Sequence, residues 1–393
     1  MSASKKLRLV ILGNMAAVPF GGQTWLFLNW LRAFSRLGHD VWYVEDDLGW
    51  PYDPEQNTAT SDGRYAVRHL ADCMERIGLK DHWVLHVPTA PTEACWGLSS
   101  GQKNELYRTC DALINIIGAI DLREEHLKAP RRIYVQTDPV VAELRLAEGD
   151  EHTRQAFAAH DTIFTYGENF GNPDCRVPLS GITYKKTRQP IDLDLWPMAF
   201  DPDSRYFTTI GNYRQSGNDV QYRGEVYHWS KHHEWEKFVE LPRRVKQEFE
   251  LALNADRPDD RKFLESHGWR LTSPFKMSLD IFGAYPEYIR KSRGEFTVAK
   301  DQNVRLRSGW FSERDVCYLA SGKPVVSQDT AFGNILPTGE GLFAFNTLEQ
   351  AAAAIEEING DYERHCRAAR GIAEEYFSAP KVGARLLQEA GLA

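Results

Sequence analysis

The chain has 393 residues, of which 42% are hydrophobic and 26% charged, with a formal net charge of −8. That length suits two domains, each able to bury its own core, and the composition excludes a disordered chain. The acidic balance argues against nucleic acid as a constitutive partner, which would need a basic face, but leaves room for a local cationic cleft.

The N-terminal MSASKKLRLVILG has two lysines before a short apolar run that reads as a first strand, not as a signal peptide. No apolar stretch approaches the roughly 18 residues that a membrane span needs. The six cysteines are widely spaced and form no CxxC pair, as expected of free thiols in a reducing compartment, so a cytoplasmic location is predicted. The chain carries 11 Trp, 16 Tyr and 19 Phe, which can fill a large core or line a cleft that stacks flat ligands.

In chain order, residues 7–13 (LRLVILG) read as a buried strand and residues 23–37 as a helix with an apolar face of Trp25, Leu28, Trp30, Leu31 and Phe34. Residues 39–45 read as a second strand, completing a βαβ unit with parallel strands. The loop between them carries PFGG, so a GxGxxG dinucleotide fingerprint is absent. Gly21 and Gly22, at a helix N-terminus, still let a ligand approach the backbone amides.

Residues 46–66 and 88–101 read as long loops, residues 67–79 as a helix and 82–87 as a strand. Further strands are predicted at 111–118, 131–137 and 161–166, with a helix around 122–127. Strands alternating with helices indicate a doubly wound sheet. The pattern dissolves between 178 and 203, and a domain boundary is expected near 195–205.

A second alternating series starts with the strand 205–211 and a polar loop, 212–225. A helix around 230–241, a strand 249–254, a helix 259–267, a strand 269–272 and a helix 286–293 follow. Residues 295–300 read as a strand. Residues 312–321 read as a helix that Ser312 caps and Gly322 ends. Pro324-Val325-Val326 has the apolar run of a strand buried on both faces. Asp329 to Gly333 follow its carboxyl end, where open α/β sheets bind ligands. Thr347 caps a helix over 348–359, and another spans 361–376.

The order Leu319-Ala320-Ser321-Gly322-Lys323-Pro324-Val325-Val326, then Gly339-Glu340-Gly341-Leu342, resembles the donor-sugar half of GT-B glycosyltransferases. The likeness is closest to bacterial members, including those of the spore-maturation type. It implies an α/β protein of two Rossmann-like domains facing across a cleft, with C-terminal helices crossing back. On that reading residues 1–198 are the acceptor domain, 199–375 the nucleotide-sugar domain, and 376–393 a helix packing on the N-terminal domain. One departure stands out. Retaining members place two glutamates, for the sugar and the ribose, where this chain has Gly309 and Cys317.

The resemblance implies sugar transfer from a nucleotide-sugar co-substrate to a small-molecule or glycan acceptor, with no other cofactor. An epimerase on the same fold, or a non-catalytic binding protein, are the alternatives. A diphosphate calls for cations and helix N-termini. Arg214 and Lys231 occupy the corresponding stretch of the second domain, and Lys300, Arg305, Arg307 and Arg314 cluster further on. Glu313 at a helix start, Asp329 and Gly333 are the remaining donor-site candidates. Asp138 and Glu168, each just past a strand end, are the candidate general bases, with His152 and His160 as further choices. His228, His232 and His233 lack a third ligand of matching spacing, so no metal site is predicted.

Overall fold

The computed structural model describes residues 5–46, 49–87 and 94–392. Two parallel sheets dominate it. The first has eight strands: β1 (Arg8–Leu12), β2 (Asp40–Asp46), β3 (Trp83–Val87), β4 (Ala94–Trp96), β5 (Ala112–Ile116), β6 (Arg132–Gln136), β7 (Thr162–Thr165) and β8 (Tyr184–Lys186). Their spatial order is β8-β7-β6-β5-β1-β2-β3-β4, and only the β3–β4 pair at one edge is antiparallel.

The second sheet has six parallel strands: β9 (Tyr206–Asn212), β10 (Glu248–Asn254), β11 (Arg270–Thr272), β12 (Gly294–Thr297), β13 (Val325–Gln328) and β14 (Leu342–Phe345). They lie in the order β11-β10-β9-β12-β13-β14. The central strands β5, β12 and β13 are buried along their whole length, in keeping with their mainly apolar or small residues; Asn115, Glu295 and Gln328 are the buried polar exceptions. In each sheet the order reverses beside the first strand, β1 and β9, and the loops at their carboxyl ends face one another.

Local rules explain most element ends. The Ser312 hydroxyl accepts the Arg314 amide at 3.3 Å, and Gly322 leaves that helix at φ +67°. Thr347 and Gln350 form a capping box. The last helix, Ala379–Glu389, returns to lie on the first helix, Gly21–Ser35; a Cβ on Gly383 would stand 2.9 Å from the Ala33 carbonyl oxygen. Among the described residues no helix is long and apolar enough to cross a membrane.

Several predicted elements differ. The polar loop 212–225 contains the start of a hairpin, Val220–Tyr222 paired with Glu225–Tyr227, turned by Arg223 and Gly224, both at positive φ. The helix expected over 230–241 is broken into His232–Trp235, a 3₁₀ turn Glu236–Phe238 and Leu241–Arg244, with Pro242 inside the last piece. The helix expected around 122–127 is only a 3₁₀ turn at His126–Lys128. In the loop 88–101, residues 88–93 lie outside the described residues; β4 and the start of a helix capped by Ser99 occupy the rest. The loop 46–66 carries a small hairpin, Tyr52–Asp53 with Thr58–Ala59. Within 178–203, β8 pairs with β7 and extends the first sheet.

Candidate active site

A cleft of about 550 Å³ lies between the carboxyl edges of the two sheets. The first sheet contributes Val18, Phe20, Gly22 and Gln23 from the loop and helix after β1, and Thr137, Asp138 and Tyr166 from the ends of β6 and β7. The second contributes Gly211 and Asn212 at the end of β9, Asn254 at the end of β10, and Phe275 beyond β11. Trp310, Ser312, Glu313 and Arg314 close it from the side. Trp310 ties the halves together by donating its indole N–H to the Thr137 carbonyl at 2.9 Å. Gly21 sits against the second domain, where a Cβ would fall 2.4 Å from the Tyr285 ring.

Glu313 is the most exceptional group in the cleft. Both carboxylate oxygens are buried, and neither has a hydrogen-bond partner among the described residues. Burial pushes its carboxyl up to about 8. It occupies the first turn of the helix Glu313–Ala320, one turn before Cys317, whose thiol contacts the Glu313 carbonyl at 3.5 Å. The carboxylate thus lies on the helical face that carries Cys317.

Next to it, Arg314 is almost wholly committed to the protein. It pairs with Glu295, donates to the Ile210 carbonyl at 2.7 Å and to Thr297 Oγ1 at 2.8 Å, and lies 3.3 Å from Asp315. Its guanidinium lines the cleft and also an adjoining pocket of about 180 Å³, which includes Lys231, Gly211, Asn212 and Thr297. The Lys231 ammonium has no ion-pair or hydrogen-bond partner among the described residues and stands 5.7 Å from the centre of the Trp310 ring. Burial, reinforced by the nearby Arg314 charge, lowers its ammonium to about 7.

Lys300 and Asp138, predicted for opposite functions, form an ion pair across the cleft. The Lys300 ammonium also lies 3.0 Å from the centre of the Trp229 ring. Burial lowers its pKa, with Asp138 opposing the shift. The second oxygen of Asp138, Oδ1, is buried without a hydrogen-bond partner among the described residues.

Gly21, Lys231 and Lys300 lie beside this cleft without lining it, and five further predicted residues are engaged elsewhere. Arg214 is held by Asp260 through two hydrogen bonds of 2.6 and 2.8 Å, so its guanidinium already has a bidentate anion. Arg307 binds Asp174 of the first domain at 2.8 and 2.9 Å. Asp329 accepts the Ala331 amide at 2.8 Å, making a turn, and lies 3.7 Å from Arg307. Gly333 falls in a 3₁₀ turn, Phe332–Asn334, beside Asp329. Glu168 is buried against Arg188 at 2.7 Å; burial raises its carboxyl while Arg188 opposes that shift.

The histidines are engaged with one another and with Ser230. His232 is bonded to Ser230 at 2.7 Å and its ring lies tilted against His233, with centroids 3.8 Å apart, while the His228 ring stacks on His233 at 4.0 Å. Among the described residues, Asp46, Glu125 and His126 are the group whose ligand-type atoms converge. The Asp46 carboxylate is already occupied by Lys103 at 2.8 Å, Tyr107 at 3.0 Å, His86 at 2.8 Å and Arg123 at 3.0 Å. That donor set suits a buried anion and not a cation.

The cleft residues missed from the sequence are chiefly Tyr166, Asn212, Asn254, Phe275, Tyr285 and Trp310. Asn212 and Asn254 each end a strand, which was a usable signal. The aromatic residues carried none, because core and cleft aromatics read alike in sequence.

With this geometry in view, the chain has the GT-B fold. No protein-family model and no curated protein matches it, but similar solved structures span nearly the whole chain. An α-glucosyltransferase in complex with UDP and a 13-mer DNA is 13% identical, with a TM-score of 0.59, over 98% of this chain and 100% of that one. HepE of Anabaena, in complex with UDP and glucose, is 12% identical, with a TM-score of 0.53, over 98% and 100%. Sucrose-phosphate synthase from Thermosynechococcus elongatus is 11% identical, with a TM-score of 0.53, over 98% of each chain. Since one of these binds DNA, the comparisons do not support the expectation against nucleic acid as a partner.

Proposed function

We propose that the protein transfers a hexosyl group from a nucleotide-sugar, with UDP as carrier, to an acceptor hydroxyl. The observation that carries this reading is the bare Glu313 carboxylate in the interdomain cleft. A buried carboxyl with neither oxygen partnered needs hydrogen-bond partners, and the vicinal hydroxyls of a ribose, which both donate and accept, supply two. One helical turn separates Glu313 from Cys317, the position where retaining GT-B relatives place their ribose glutamate, so the same function is served from the preceding turn. The structural neighbours that hold UDP favour the uridine carrier.

The unpaired Lys231 ammonium and the Arg314 guanidinium in the adjoining pocket would offset the diphosphate charge, a role that needs no metal. Asp138 is the base on this reading. The acceptor oxygen bonds to the anomeric carbon while the bond from that carbon to the diphosphate breaks. The electron pair leaves with the diphosphate, and the hydroxyl proton passes to Asp138. Residues 1–198 serve the acceptor, 199–375 hold the donor, and 376–393 brace the two. Six widely spaced cysteines with no CxxC pair fit a reducing, cytoplasmic setting.

A thermal-shift panel of UDP, GDP, dTDP, ADP and their sugars tests the reading, since a ligand bound only by the native state raises Tm. UDP and its sugars are expected to stabilise the protein, and Glu313→Gln or Lys231→Met to abolish the shift. No shift with any nucleotide would overturn it.

A further inference from the structure

Beside the cleft, and sharing Thr137 and Asp138 with it, lies a second chamber of about 270 Å³. It is set at the carboxyl ends of β5 and β6 and is closed on the far side by Trp229 of the second domain. Two of its polar groups have an oxygen with no hydrogen-bond partner among the described residues. Asn115 is fully buried, and its amide nitrogen donates to the Ile120 carbonyl at 2.8 Å and to His160 Nε2 at 3.2 Å. His160 Nδ1 donates to the Ala156 carbonyl at 2.8 Å, so Nε2 is the accepting nitrogen, and burial keeps the ring neutral by lowering its pKa to about 4. This network fixes the amide orientation and leaves Asn115 Oδ1 as a bare acceptor. The other is Asp138 Oδ1, whose carboxylate is anchored at Oδ2 by Lys300.

The walls are strained where they meet the chamber. Ile117, which lines it, has φ +60°, and Val140, next to the lining residue Val141, has φ +94°. Both are β-branched, for which positive φ is costly, and such strain concentrates at ligand sites. Two bare acceptors beside an aromatic wall call for a ligand rich in hydroxyl donors. An anion would instead meet the Asn115 oxygen and the Asp138 carboxylate head-on, and the basic side chains of the lining are engaged elsewhere, Arg145 with Asn218 at 3.0 Å and His152 with Asp121 at 3.1 Å.

We infer that this chamber is the acceptor subsite and that the acceptor presents a neutral, polyhydroxylated saccharide unit to Asn115 and Asp138. The inference rests on the transferase reading for its place in the reaction, but the binding it asserts is separable from it. Saturation-transfer NMR with methyl glucoside, methyl mannoside and N-acetylglucosamine, beside inorganic phosphate and a short DNA duplex, reads it directly.

At least one saccharide is expected to bind the wild-type protein. Ala142→Trp, which fills the chamber from its wall, should weaken that binding at least tenfold while UDP binding is unchanged; Asp138→Asn should weaken it as well. The inference is overturned if no saccharide binds, if Ala142→Trp binds it as the wild type does, or if the DNA or phosphate alone competes for the chamber. Saccharide binding lost in Ala142→Trp, in a protein that binds no UDP, would uphold the chamber and overturn the transferase reading instead.

Discussion

At the scale of single residues, two groups carry charges that the fold disfavours, one in the cleft and one in the pocket adjoining it. The carboxyl of Glu313 moves from its ordinary 4.5 up to about 8. Folding therefore favours its protonated form, so the associated stability is fully present below about 4.5 and is lost as pH rises through about 8. Glu313→Gln should flatten that loss and stabilise the free protein at pH 8.5 by on the order of a few kcal/mol. Denaturant midpoints at pH 5 and 8.5 check this, and an unchanged pH dependence would contradict it. Lys231 is the opposite case, lowered from 10.5 to about 7. Its ammonium is disfavoured in the fold, and stability falls as pH drops from 10.5 toward 7. A bound diphosphate would restore the charge. Titration calorimetry of UDP at pH 8 in buffers of different ionisation enthalpy should show proton uptake, absent in Lys231→Met.

At the scale of elements, the Gly339-Glu340-Gly341-Leu342 motif has a packing function. A Cβ on Gly341 would stand 2.3 Å from the Ala369 amide nitrogen, and its φ is +71°. The chain entering β14 thus passes against the backbone of the helix Tyr362–Ile372. Gly341→Ala should cost roughly 1–3 kcal/mol through overpacking and strain, seen as a lower denaturant midpoint. UDP affinity should hold, because the residue is outside the cleft. The broken segment 230–241 makes a related point: its irregular start brings Lys231 to the pocket rim, where a continuous helix would have fixed it by period alone.

At the scale of the whole molecule, polar ties cross between the halves on several sides of the cleft. Lys300 meets Asp138, Arg307 meets Asp174, and Asn334 donates to Asp174 at 3.0 Å. The partly exposed Arg307–Asp174 pair is worth little by itself, and the Lys300–Asp138 pair is one tie among several, so one deletion should leave the closed arrangement intact. Removing two should not. The double variant Lys300→Met/Arg307→Ala is expected to show a larger radius of gyration by solution X-ray scattering, with UDP restoring part of the compaction. An unchanged radius would mean that the apolar contacts alone, such as Gly21 on Tyr285, hold the halves together.

What the sequence determined by itself was everything that depends on near neighbours. Buried strands such as 325–328, the caps at Ser312 and Thr347, the glycine stop at 322 and the alternation that makes each sheet are all local, so they were legible. Gly22, Asp138, Glu313 and Arg314 were also found by position, because the ends of parallel strands and the helices after them converge by topology. Only the tertiary structure decided which charges are free. Arg214 meets a carboxylate 46 residues away and Arg307 one 133 residues away. In sequence both look as available as Lys231. Whether a cation is neutralised or left for a ligand depends on what the fold places within about 3 Å of it, and chain order holds no measure of that distance.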